Sequence, residues 1–102
     1  MDFEVFLSPE ALSDLEGVVA YIASRNPAAA DRFGNRLLDA ALSLNTQPER
    51  GRLVPEFRRP ELREIVFRSD RIIYRVDSAR QCVEIARFWH AARGFPQIPR
   101  IE

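Results

Sequence analysis

One histidine, one cysteine and no lysine leave this 102-residue chain few side chains able to do covalent chemistry. His90 is the single group whose ordinary pKa suits proton transfer near neutrality. Cys82 has no activating pattern of neighbours and reads as inert. One cysteine with one histidine argues against a metal site, and no cofactor is expected. All fifteen basic residues are arginines. Arginine stays charged and offers a planar fork of donors, which holds phosphate or carboxylate but cannot serve as a base. His90, with Arg87 and Arg93 close in sequence, could therefore support cleavage of a phosphodiester. That reaction needs charge stabilisation at phosphorus, a base near the attacking hydroxyl and an acid for the leaving oxygen. Glu56 or Glu61 could be the base only if their loop folds over a sheet. A strand-end position hydrogen-bonded to backbone accounts for His90 without any chemistry.

The net charge of zero hides an uneven distribution. Residues 1–49 hold three arginines and eight acids, whereas residues 50–102 hold twelve arginines and seven acids. A basic half calls for an anionic counterpart, either nucleic acid or an acidic protein segment. The length suits one domain, with a composition 46% hydrophobic and 29% charged that excludes disorder. No apolar run reaches the ~20 residues of a membrane span, and no signal-peptide pattern follows Met1, so a reducing cytoplasm is expected.

Positioning such residues takes a scaffold, and its punctuation is clear. Phe3, Val5 and Leu7 alternate with Glu4, Phe6 and Ser8, predicting a strand. Ser8-Pro9-Glu10 supplies a cap, a first-turn proline and an acid for a helix start. Leu12, Leu15, Val18, Val19 and Ile22 form its apolar stripe, with Asp14, Gly17 and Tyr21 on the polar side. Asn26-Pro27 repeats the cap signal, and Ala30, Phe33, Leu37, Ala41 and Leu44 mark a second helix fading near Asn45. Gly34 on that stripe implies a close backbone approach. Residues 48–60 read as an ordered surface loop. Strand signals follow at Leu62–Phe67, Arg71–Val76 and Val83–Trp89, joined by connectors short enough for hairpins. Trp89 and Tyr74 are expected in the core. The tail from Ala91, interrupted by Pro96 and Pro99, is too broken for a helix, and 94–102 is expected to be mobile. The fold class is thus α+β: a single domain over 1–102, in β-α-α-β-β-β order, with a helical hairpin packed on an antiparallel sheet.

Leu62-Arg63-Glu64-Ile65, Arg71-Ile72-Ile73-Tyr74-Arg75-Val76 and Val83-Glu84-Ile85 leading to Trp89-His90-Ala91-Ala92-Arg93 resemble the RelE/ParE toxin superfamily. Asn26–Ala30 through Phe33, and Pro48-Glu49-Arg50-Gly51, resemble its second helix and the loop after it. The resemblance spans roughly residues 3–95. It implies the toxin of a type II toxin–antitoxin module, associated with plasmid stabilization, neutralised by an adjacently encoded antitoxin of ParD-like kind. Any DNA contact would then come only through the antitoxin. ParE-like members inhibit DNA gyrase through protein binding, whereas RelE-like members cut messenger RNA on the ribosome.

By resemblance, Arg71 matches the strand arginine of the ribonuclease members, so a ribonuclease would use His90, Arg71 and Arg93. Those members often rely on lysines or a C-terminal tyrosine, and this chain has no tyrosine after Tyr74. The segment Trp89–Gly94 instead is similar to the ending of ParE-like members, departing from it at Ala91 and Gly94. Asp70 is a further departure, standing where an aromatic residue commonly precedes the strand arginine. The favoured expectation is therefore a gyrase inhibitor, not an enzyme, with Arg93, Phe95 and Ile98 contacting the target. Tyr21 and Leu42, off the apolar stripes, with Arg52, Arg58, Arg63, Arg71 and Arg75, are expected to bind the antitoxin. A RelE-like endoribonuclease and a non-toxic arginine-rich module binding RNA or protein are the alternatives.

Overall fold

The computed structural model describes residues 2–98, so the end of the expected tail, 99–102, lies outside them. Strand β1 (Glu4–Leu7) leads into helix α1 (Pro9–Ala23), and helix α2 (Pro27–Leu42) follows after a short turn. Both helix starts use the caps legible in the sequence. The Ser8 hydroxyl accepts the Ala11 N–H at 3.0 Å, and the Asn26 side-chain oxygen accepts the Ala29 N–H at 3.0 Å. Ser8 also donates its hydroxyl to the Ala86 carbonyl at 2.9 Å, so one residue caps α1 and ties it to the far end of the chain. The face of α1 that packs inward carries Ala11, Leu15 and Val18. Leu12, expected on the buried stripe, is 48% exposed, because Ala11 takes the inward position and rotates the stripe by one residue. At Gly34 an added Cβ would lie 2.8 Å from a Val19 methyl, confirming the close approach of α2 to α1.

Four further strands complete one sheet: β2 (Arg52–Leu53), β3 (Leu62–Phe67), β4 (Asp70–Asp77) and β5 (Cys82–His90). Their order is β1-β5-β4-β3-β2. The β3–β4–β5 meander is antiparallel as expected, while β1 pairs with β5 in parallel, from Glu4 opposite Cys82 to Leu7 opposite Ile85. The sheet is therefore mixed. The helical hairpin and the meander lie between β1 and β5 in sequence, a connection long enough for parallel pairing. Strand β2 lies inside the segment read as loop and is only two residues long, below what alternation can reveal.

Each face of the sheet has its own core. One joins Ile72, Tyr74, Val83, Ile85 and Phe88 to Ala11, Leu37, Ala41 and Leu44 of the helical layer. The other gathers Val54, Leu62, Ile73, Ala86 and Trp89, with Phe57 and Ile98 packed against them. A bulge after Ile73 shifts the register, so that Ile73 faces Arg87 while Tyr74 faces Ile85. The second core corrects the reading of the tail. Pro96 is fully buried and Ile98 packs on the sheet, so in this structure the tail expected to be mobile returns to dock on the sheet at these two residues. Trp89 holds this return in place by donating its indole N–H to the Gly94 carbonyl at 3.1 Å.

Candidate functional site

Arg71 lies at the centre of an ionic network. Its Nε donates to Glu64 at 2.6 Å, and its two terminal nitrogens fork onto the Glu56 carboxylate at 2.9 and 2.7 Å. Glu64, with a fully buried side chain, also takes Nε of Arg52 at 2.6 Å. The guanidinium pKa of Arg71 rises, chiefly through the hydrogen bonds it donates to Glu56, and the Glu56 carboxyl is held below its usual range by the same contact. Arg71, expected to meet an antitoxin or a phosphate, is instead buried in this structure with its Nε and both terminal nitrogens on carboxylates of the same chain. The loop does fold over the sheet, yet it brings Glu56 as a counter-ion to Arg71.

His90 ends β5 directly opposite Asp70 on β4. Its Nδ1 accepts the Ala92 N–H at 3.1 Å, capping the short helical turn Ala91–Arg93. Asp70 is only 6% exposed, and burial pushes its carboxyl pKa up, with His90 acting in the opposite sense. Two clefts meet at this pair. One of about 280 Å³ includes Asp14, Gly17, Phe88 and Arg93, and one of about 300 Å³ includes Tyr21, Phe33 and Arg68; Val18, Asp70 and His90 line both.

The rest of the basic half divides into paired and displayed arginines. Arg87 forks onto Asp14 at 2.8 Å from both Nε and a terminal nitrogen, and a further donor reaches the Gln97 carbonyl at 2.9 Å. Its pKa rises, first through the hydrogen bonds to Asp14. Asp14 was read as a polar-face residue; nothing local marks it as a partner for a strand 73 residues away. Arg75 pairs with Glu84 at 3.2 Å across the strands, and Arg63 donates to the Gly51 carbonyl at 2.9 Å. Arg52 remains mostly exposed outside its bond to Glu64, and Arg58 is exposed at a left-handed φ of 52°. Arg93 lies over the Trp89 ring, 3.8 Å from its centroid.

The expected contact residues therefore do not form one patch. His90, Arg93 and Tyr21 border the joined clefts, whereas Arg71 belongs to the Glu56–Glu64 network and Ile98 to the second core. Phe95 is 64% exposed and meets Phe57 edge-on at 5.3 Å between centroids. Tyr21, 62% exposed and beneath the Arg25 guanidinium, and Leu42 are surface residues as expected. The burial of Asp70 was not legible in the sequence, where its one signal was the departure from an aromatic at that position. Among the described residues no group of His, Cys, Asp and Glu could hold a metal ion, and no helix is long and apolar enough to cross a membrane.

The chain is 43% identical over 83 residues to Toxin RelE2 of Caulobacter vibrioides, covering 81% of this chain and 89% of that protein. It is 37% identical over 93 residues to Toxin RelE1 of the same organism, covering 88% and 95%. Its fold is similar to a chain of the chromosomal ParDE system from P. aeruginosa, with a TM-score of 0.72 at 15% identity over 86% of this chain and 95% of that one. It is also similar to a chain of the RelBE2 toxin–antitoxin complex from Mycobacterium tuberculosis, with a TM-score of 0.65 at 22% identity over 88% and 99%. Residues 5–95 match the family described as ParE toxin of type II toxin-antitoxin system, parDE, and with the two curated relatives this places the chain in the RelE/ParE superfamily of type II toxins.

Proposed function

We propose that this toxin acts by binding a protein target, DNA gyrase, and not through chemistry of its own. The observation that carries this reading is the state of Arg71. A phosphodiester cleaver needs preorganised cations directed at the phosphate, and here the strand arginine has its Nε and both terminal nitrogens on Glu56 and Glu64. His90 is used as a cap, and Arg93 rests on Trp89. The displayed features, Phe95 and Arg93 on a docked tail, suit a protein contact better than a reacting centre. Induction is expected to trigger the SOS response and filamentation, and purified protein is expected to inhibit supercoiling by gyrase. Growth arrest with supercoiling untouched and translation halted overturns the assignment.

Neutralisation falls to an adjacently encoded, ParD-like antitoxin. An amphipathic helix of that partner suits the exposed surface around Tyr21 and Leu42, with acidic residues meeting Arg52 and Arg58. Co-expression with the neighbouring reading frame and pull-down tests it; two folded proteins that fail to associate at micromolar concentration refute it.

A ribonuclease reading rests on a different observation. His90 and Arg93 line one cleft together with Asp70, and the curated relatives bear RelE names. Codon-linked cuts in messenger RNA after induction, abolished by His90→Ala, distinguish this reading from the gyrase one.

A further inference from the structure

Among the described residues, five acids are more than half withdrawn from solvent: Asp14, Glu61, Glu64, Asp70 and Glu84. Four of them have an arginine: Asp14 has Arg87, Glu61 has Arg59, Glu64 has Arg52 and Arg71, and Glu84 has Arg75. Asp70 has none, although it is 94% buried in a chain with fifteen arginines. Among the described residues no side-chain hydrogen bond reaches its carboxylate, and the neighbour that acts on it, against the rise that burial causes, is His90. A desolvated carboxylate without a cation is costly to keep in a folded protein.

The surroundings of Asp70 say what would satisfy it. It lines two neighbouring clefts together with Val18 and His90, one also lined by Tyr21 and Phe33 and the other by Arg93, and these two clefts together are the groove. The Tyr21 ring already carries the Arg25 guanidinium at 5.1 Å from its centroid and Phe33 packs against Phe67, so a cation entering here is flanked by ring surface of the kind that accommodates one. Arg68 and Arg93 also line the groove, but each guanidinium lies over a ring, Phe67 at 5.6 Å and Trp89 at 3.8 Å, and both residues are exposed to screening water. Neither reaches Asp70. The low-dielectric position of Asp70 gives its single negative charge more weight than those two screened cations.

We propose that Asp70 anchors a binding groove for a basic side chain of a partner protein, whose guanidinium or ammonium enters beside Tyr21 and pairs with this carboxylate. The groove is a feature of this chain's own sequence, since Asp70 departs from the residue type that the family resemblance would place there. It holds whether the partner is an antitoxin or a target, so it does not depend on the gyrase assignment.

The test is a nitrogen-15 NMR titration with N-acetyl-arginine amide, using the isosteric but neutral N-acetyl-citrulline amide as control. Saturable shifts at Asp70, His90 and Tyr21 are expected, with the citrulline compound and the Asp70→Asn variant at least about tenfold weaker. Should Asp70→Asn not fold, the pH dependence of binding to the otherwise native protein decides. Binding falls as pH drops through the raised Asp70 carboxyl pKa, and it does so in His90→Gln as well. The other charged groups facing the groove are Asp14 from α1, paired with Arg87, Arg68 from the β3–β4 turn and Arg93 after β5; the arginines keep their charge, and Asp14→Asn, retaining the same pH dependence, separates its carboxyl from that of Asp70. Equal binding of the citrulline compound, or no saturable shift with either, overturns the proposal. Saturation by inorganic phosphate at Arg68 and Arg93, without any by the arginine amide, overturns it in favour of an anion site.

Discussion

Asp14 and Arg87 join the first helix to the last strand through a two-bond fork, 2.8 Å at each carboxylate oxygen. The same carboxylate accepts the Phe88 N–H at 3.1 Å. Strand β1 ends at Leu7, opposite Ile85, so the edge of β5 beyond that point has no strand to accept its N–H groups. Asp14 supplies the missing acceptor from a helix. Replacing it with alanine leaves Phe88 without a partner and Arg87 unpaired, and is expected to destabilise the fold by about 2–4 kcal/mol. The shift of the urea unfolding midpoint measures it; a loss below about 0.5 kcal/mol would mean that water replaces the carboxylate.

Gly51 is fixed by its neighbours. Its N–H donates to the Tyr74 hydroxyl at 3.0 Å, and a Cβ there would meet that hydroxyl and lie 2.6 Å from the Glu64 carbonyl oxygen. Gly51→Ala should therefore unfold at lower denaturant, and Tyr74→Phe should fail to rescue it, because the clash with backbone remains. Rescue by Tyr74→Phe would show that the phenol alone limits the site.

Asp70 and Glu56 should respond to pH with opposite signs. The Glu56 carboxyl is depressed by Arg71, so its contribution is present above the unfolded value near 4.5 and is lost as pH falls through the folded value. The Asp70 carboxyl is raised by burial, so its ionisation costs stability, absent below the unfolded value near 3.8 and growing as pH rises through the folded value. Asp70→Asn is thus expected to raise Tm at pH 7 and to lose that advantage near pH 3, whereas Glu56→Gln lowers Tm at pH 7. Thermal melts across pH 3 to 7 check both; a lower Tm for Asp70→Asn at pH 7 would reveal a hidden partner for the carboxylate.

The docked tail changes what a truncation can show. Cutting after Ala92 removes the Gly94 carbonyl from Trp89 and strips Ile98 from the second core, so it should destabilise the whole protein as well as any contact surface. Phe95→Ala is the cleaner probe. Its exposed ring should be dispensable for folding, within about 1 kcal/mol, while supercoiling inhibition falls if the tail meets gyrase. Inhibition unchanged in folded Phe95→Ala and Arg93→Ala proteins would remove the tail from the target contact.

His90 separates binding from catalysis. With the imidazole serving as a cap, His90→Ala should leave growth arrest intact and cost no more than about 1–2 kcal/mol of stability. A general acid or base would instead lose about 10²–10⁴-fold in rate. Toxicity assayed beside soluble protein level distinguishes the two.

What the sequence determined by itself was local. Ser8-Pro9 and Asn26-Pro27 announce helix starts because capping acts within three residues, and the meander is legible because alternation and short connectors are properties of neighbouring positions. Gly34 was readable for the same reason, through its place on a helical stripe. Tertiary structure alone decided the rest. Ala11 and not Leu12 faces the core because the Ser8 junction, tied to Ile85 and Ala86, sets the rotation of α1. The parallel place of β1 follows from pairing across the length of the chain. Most decisive is the sorting of charges: fifteen arginines and fifteen acids are chemically interchangeable along a sequence, and only packing brings Glu56 and Glu64 to Arg71 and Asp14 to Arg87, while no arginine among the described residues pairs with Asp70.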